Sequence, residues 1–177
     1  MKRYQKVKLT DWPPVMRALI KHPVRIAVNA TPPEDGHIIV APGNGNEIKE
    51  LPDGCEMVET MHEGGTICVF RDGITLFTVD DSEPDWLEQL VEFLRSRGVD
   101  ATRGRNDLLV DGRKAAGYTS FALGQSGLRL NGIHISINMD VDLVRRVCSK
   151  PMYKIPAGLS EYGITRQDVM TALGIEE

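Results

Sequence analysis

A surplus of charge of one sign, long apolar runs and paired cysteines are what this sequence lacks, and each absence closes off a class of function. Its 21 lysines and arginines face 25 acidic residues, a formal net charge of −4. A dedicated nucleic-acid binder carries a basic surplus instead. No apolar run approaches the about 18 residues that a membrane-crossing helix needs. The basic start Met1-Lys2-Arg3-Tyr4-Gln5-Lys6 is not followed by the apolar stretch of a secretory signal. The three cysteines, Cys55, Cys68 and Cys148, are odd in number and widely spaced, so they read as reduced thiols of a cytoplasmic protein. His22, His37, His62 and His134 form no His-x-x-His or related cluster, which argues against a structural metal. With 41% hydrophobic and 26% charged residues, the 177-residue chain reads as one soluble domain, 1–177, with no membrane partner.

Turn chemistry and periodicity supply the elements. Asp11-Trp12-Pro13-Pro14 opens a helix with Asp11 as candidate cap, running to about Lys21 and closed by Pro23. Residues 24–28, 37–41 and 55–61 read as strands. Pro42-Gly43-Asn44-Gly45-Asn46 is either a plain surface turn or a loop that brings backbone amides to a ligand. Asp72-Gly73 and Asp111-Gly112 each sit between strand-like runs, a strong hairpin signal. The strongest helix starts with Ser82 as candidate cap, carries Trp86, Leu87, Leu90, Val91 and Leu94 as a core stripe, and stops at Gly98. Residues 133–138 alternate isoleucines with His134, Ser136 and Asn138, a strand whose polar face is either solvated or lines a site. Asp140 caps a short helix, residues 149–159 are irregular, and Thr165 opens a last helix that Gly174 ends. Hairpins with interspersed helices predict an α+β domain with a mainly antiparallel or mixed sheet flanked by helices.

The chemistry gathers around Arg103-Gly104-Arg105-Asn106-Asp107-Leu108, a short strand, then Asp111-Gly112-Arg113-Lys114-Ala115-Ala116-Gly117. A tight hairpin there holds an amide, a carboxylate and an ammonium on adjacent strands. Taken alone, these are either solvated decoration or groups converging on one ligand. The Gly-Arg-Asn-Asp-Leu … Asp-Gly-Arg-Lys pattern resembles the core motif of the lipoate–protein ligase and octanoyltransferase family, relatives of the biotin protein ligases. Glu63-Gly64-Gly65-Thr66 before residues 69–73 resembles that family's glycine-rich first motif. Residues 132–140 resemble its His-Gly-x-hydrophobic-x-Asn-x-x-Asp segment, and Ile155-Pro156-Ala157-Gly158 with Gly163-Ile164-Thr165 resembles the transferases' Pro-Cys-Gly … Gly-Val-Thr.

The resemblance, which covers roughly residues 24–175, implies a biotin/lipoate ligase-like catalytic domain without a C-terminal accessory domain. It implies ATP as cofactor, a lipoate- or octanoate-type acid as substrate and a lipoyl-domain protein as acceptor. Lys114 would contact the acyl oxygen and α-phosphate; Gly64, Gly65, Thr66, Arg105, Asn106, Asp107, Gly117 and His134 would bind substrate or nucleotide; Asp107 would hold Mg²⁺. Two departures stand out. Thr60, Met61 and His62 replace the arginines that usually precede the glycines, which leaves Arg103 or Arg105 as substitutes, and Ala157 stands where the transferases carry their nucleophilic cysteine. The sequence therefore leaves two readings open: an ATP-dependent acyl–protein ligase, or a non-catalytic relative that binds an acyl or nucleotide ligand or a protein.

Overall fold

The computed structural model describes residues 3–43, 45–59, 62 and 64–176. Among these residues run the α-helices α1 (Trp12–Lys21), α2 (Trp86–Ser96), α3 (Val141–Val147) and α4 (Arg166–Ala172). The larger sheet has seven strands in the order β1 (Gln5–Lys8), β2 (Ile26–Thr31), β6 (Ile74–Asp80), β10 (Arg129–Ile135), β9 (Arg113–Ala122), β8 (Asp107–Val110) and β7 (Ala101–Arg103). Within this sheet β1 pairs with β2 in parallel and the other neighbouring strands pair antiparallel. A smaller sheet orders β4 (Cys55–Met57), β3 (Ile38–Ala41) and β5 (Ile67–Val69), with β3 and β4 also parallel.

Strand alternation sorts the side chains into layers. On β6 and β10, Ile74, Leu76, Ile133 and Ile135 point under α2 and α4, where they meet Leu90, Leu94 and Met170. Phe77, Val79 and Leu130 point to the opposite side, toward α1 and the small sheet, and pack with Trp12, Met16, Ile39 and Val69. The outer face of the small sheet, Val40 and Cys68, is covered by Val144 and Val147 of α3. The molecule is thus layered, with the inner faces of two sheets opposed and α1 closing one side.

Local signals hold where the chemistry is local. Asp140 accepts from Leu143 N at 3.0 Å, and Thr165 and Asp168 form a reciprocal capping box on α4. Gly98, at φ 77°, closes α2 with the paired 6→1 and 5→2 bonds Val99 N→Leu94 O and Gly98 N→Arg95 O. Asp111 and Gly112 take φ of 48° and 73°, as a two-residue hairpin turn between β8 and β9 requires.

Three expectations are corrected. Asp72 and Gly73 have no positive φ, and the strands on either side go to different sheets: β5 pairs with β3 and β6 with β2 and β10. The turn, closed by Gly73 N→Phe70 O at 2.8 Å, is a corner between layers and not a hairpin. Asp85, not Ser82, occupies the N-cap of α2, and its carboxylate takes Gln89 one turn on. Asp11 does stand at the N-cap of α1, but it ends a 3-10 turn (Leu9–Asp11) that runs directly into the helix, and its side chain makes no capping bond.

Candidate functional site

Between the opposed sheets lies a cavity of about 630 Å³, well within the range of small-molecule sites. Its buried part is lined by Trp12, Met16, Ile39, Val69, Phe77 and Leu130. Trp12 and Phe77 stack with ring centroids 3.5 Å apart. Gly132 makes room for that stack, since a Cβ on it would stand 2.7 Å from the Phe77 ring. This part of the site can take an aliphatic chain and offers it no charge.

The charged groups lie at the other end, and a register shift puts them there. Leu108 pairs with Ala116 but Leu109 with Lys114, so β9 carries a bulge at Ala115. Ala115 and Ala116 both turn into the core under α2. Lys114 and Gly117, three residues apart, therefore share the cavity face, which regular alternation would forbid. Gly117 lies under the lysine: a Cβ there would be 3.2 Å from Lys114 Nζ. Asp107, opposite Gly117 on β8, accepts Lys114 Nζ on Oδ1 at 2.8 Å and Lys154 Nζ on Oδ2. Burial would raise the Asp107 carboxyl, but the hydrogen bonds and charges of the two lysines outweigh it and hold the group below its ordinary pKa.

No protein-family model and no curated protein matches the sequence. Solved structures do. A lipoate-protein ligase A bound with ATP superposes with a TM-score of 0.71 at 15% identity, over 98% of this chain and 83% of that one. P. falciparum LipL1 in complex with lipoate gives 0.70 at 16%, over 98% and 60%. A bipartite lipoate protein ligase from Thermoplasma acidophilum, described with its E2 lipoyl domain, gives 0.66 at 15%, over 99% and 86%. The chain has the biotin/lipoate ligase fold.

Within this ligase fold the residues singled out from the sequence can be located one by one. Lys114, Asn106, Asp107, Gly64, Gly65, Thr66, Gly117 and His134 all line the cavity. Arg105 does not: it is exposed in the bend between β7 and β8, and Arg103 points away to an ion pair with Glu88 of α2. Neither arginine lines the cavity. Asp107 has both oxygens bound to ammonium groups, and among the described residues no three His, Cys, Asp or Glu side chains gather for a metal. As folded it is a clamp for cations, and its donor set does not fit a resident Mg²⁺.

His134 bonds Thr75 Oγ1 through Nδ1 at 3.0 Å. Desolvation, then the nearby Lys114 and His62, push it down to about 4, so it is neutral near pH 7. His62 is also lowered by burial, and its Nε2 lies 2.9 Å from Gly65 O. Thr60, Met61 and Glu63 of the first motif, like Asn44 of the glycine-rich loop, lie outside the described residues. That loop does reach the site. Gly43 packs so tightly on Gly64 that a Cβ would be 2.2 Å from Gly64 O, and Asn46 Nδ2 donates to the same oxygen at 2.5 Å. Asn46 Oδ1 remains buried with no donor among the described residues.

Ala157 is fully buried beside Lys114, its N donating to Lys114 O at 2.8 Å. Gly158 follows, with space for no side chain: a Cβ would be 2.6 Å from Ile137 O. Ala157 offers no thiol at this place. The cysteines do not replace it. Burial, with Cys148 and Cys55 nearby, pushes the buried Cys68 thiol up to about 12, and burial also raises Cys55 and Cys148. Lys154 is the residue sequence reasoning missed. The signal was its place immediately before the Ile155-Pro156-Ala157-Gly158 segment.

Proposed function

We propose that this chain is an ATP-dependent acyl–protein ligase, which activates a lipoate- or octanoate-type carboxylate as its acyl-adenylate and passes the acyl group to an acceptor lysine. One observation carries the reading: an apolar cavity of about 630 Å³ ends on the Lys114 ammonium, held over Gly117 by the Asp107 carboxylate. An aliphatic tail with a charged head matches that gradient. Likeness in fold to an ATP-bound ligase and to a lipoate complex supports it.

In this reading the acid lies with its chain along Trp12, Phe77 and Leu130 and its carboxylate at Lys114. A carboxylate oxygen attacks the α-phosphorus of ATP, the bond to the bridging oxygen breaks, and pyrophosphate leaves with the electron pair. The acceptor amine then attacks the acyl carbon; the carbon–oxygen bond breaks, AMP leaves, and the amine loses a proton. Lys114 neutralises charge on the acyl oxygen and α-phosphate in both steps, a task suited to a compact ammonium. Asn106 and His62 line the approach, and neutral His134 shapes the floor without acting as a base. With alanine at position 157 and no thiol held as thiolate near pH 7, the cysteine-dependent transfer route has no nucleophile. The acceptor proposed is a lipoyl-type domain, as in the T. acidophilum system.

The test is ATP–pyrophosphate exchange with lipoate, octanoate and biotin supplied separately and Lys114→Ala as control. Exchange that depends on one acid and on Lys114 supports adenylation. Absence of exchange with all three acids, from folded protein, transfers the assignment to a ligand-binding relative without chemistry.

A further inference from the structure

We propose that Lys154 is a second cationic ligand for the nucleotide's phosphate, held in waiting on Asp107 beside Lys114. The inference rests on the adenylation reading and adds a residue to it.

The first argument is placement. Residues 155–157 run alongside Lys114 as an isolated parallel bridge, through Lys114 N→Ile155 O at 2.9 Å and Ala157 N→Lys114 O at 2.8 Å. Arg113 ties the segment further: Nη2 donates to Pro156 O at 2.9 Å, and the guanidinium forks onto both oxygens of Glu161 at 2.5 and 3.0 Å. Glu161 in turn accepts Gly158 N at 3.0 Å. Lys154 therefore projects from the end of a pinned segment, not from a free loop.

The second argument is geometry. The two ammonium groups bind different oxygens of one carboxylate. A phosphate presents two oxygens at a comparable separation and carries more charge, so it can take the carboxylate's place between the same two cations. Asp107, only 13% exposed, stays put while both lysine side chains are roughly half exposed and free to re-aim.

The third argument is charge. The cavity wall carries Lys114, Lys150 and Lys154 against Asp107 alone, with no other carboxylate among the described lining residues. Such a surplus calls for an anion beyond the single carboxylate of the acid. Arg103 and Arg105, being outside the cavity, leave Lys154, which shares the Asp107 carboxylate with Lys114, to meet that anion.

Calorimetric titration of wild type, Lys154→Ala and Lys154→Arg with Mg·ATP, and separately with lipoate and octanoate, tests this. Lys154→Ala should weaken ATP binding about tenfold or more, the scale of one lost charge-assisted bond, while acid affinity stays within about twofold. Lys154→Arg should recover ATP affinity to within about threefold, and the alanine variant should show a shallower salt dependence. ATP affinity in Lys154→Ala within twofold of wild type overturns the proposal. So does an equal loss for ATP and acid, which a mere prop for Asp107 would produce. Wild type that binds an acid but no ATP sinks the adenylation reading itself, and the role of Lys154 with it.

Discussion

Gly117→Ala tests the position of the Lys114 ammonium without removing any charged group. Gly117 lies in extended backbone on β9, so alanine is conformationally allowed there. The added methyl would meet Lys114 Nζ at 3.2 Å and Cε at 3.3 Å and nothing else within 4 Å. Both atoms belong to the far end of a flexible side chain, so the ammonium gives way by a few tenths of an ångström and the core does not. Restricting the unfolded chain contributes about 0.4–1 kcal/mol in favour of the variant. At about 2–4 °C per kcal/mol for a chain of this size, Tm should hold or rise by about 1–4 °C. Exchange should fall about 3- to 10-fold, scaling from the roughly 100-fold that a 1 Å misplacement costs. Thermal melts and ATP–pyrophosphate exchange on the same preparation make the comparison. Unchanged exchange would mean that the Lys114 position is not critical. A Tm loss of several degrees would mean that the methyl strikes something stiffer than the lysine.

Gly132→Ala should behave in the opposite way: its methyl would strike the Phe77 ring at 2.7 Å, and that ring is held by the Trp12 stack, so overpacking should cost about 1–3 kcal/mol and lower Tm, with weaker acid binding in the same titration. Lys114→Ala removes an ion pair to Asp107 that is partly solvated and that Lys154 can still satisfy, so stability should change by at most about 1 kcal/mol while exchange drops at least about 100-fold. His134 is held neutral in the fold, with its pKa moved from 6.5 to about 4, so the unfolded chain takes up more protons between those values. Its contribution to stability is therefore complete above about pH 6.5 and is lost as pH falls toward 4, and His134→Gln should flatten the Tm–pH curve in that window. A curve of equal slope in wild type and variant would refute the assignment.

Much of the fold was legible because its determinants lie within a few residues of one another. The Asp111-Gly112 turn, the Asp140 and Thr165 caps and the alternation of Ile133 and Ile135 with His134 were all read correctly from neighbours in the chain. Asn106, Asp107, Lys114 and Gly117 sit on one hairpin, so their meeting at one cavity also follows from neighbours in the chain. The Asp72-Gly73 corner was misread because the dipeptide encodes a turn but not the partners of the strands it joins. Arg105, adjacent to Asn106 in sequence, missed the cavity because the bend before β8 turns it to solvent.

The sequence by itself determined where the chain turns, the caps of its last two helices, and that a carboxylate and an ammonium face each other across a hairpin. Those follow from backbone preferences and side-chain bonds spanning a few residues. Tertiary structure alone decided that Ala115 bulges to put Lys114 over Gly117, that two opposed sheets leave an apolar cavity, and that Lys154 arrives at Asp107 from 47 residues away. Such convergence depends on packing between distant segments, and no local preference encodes it.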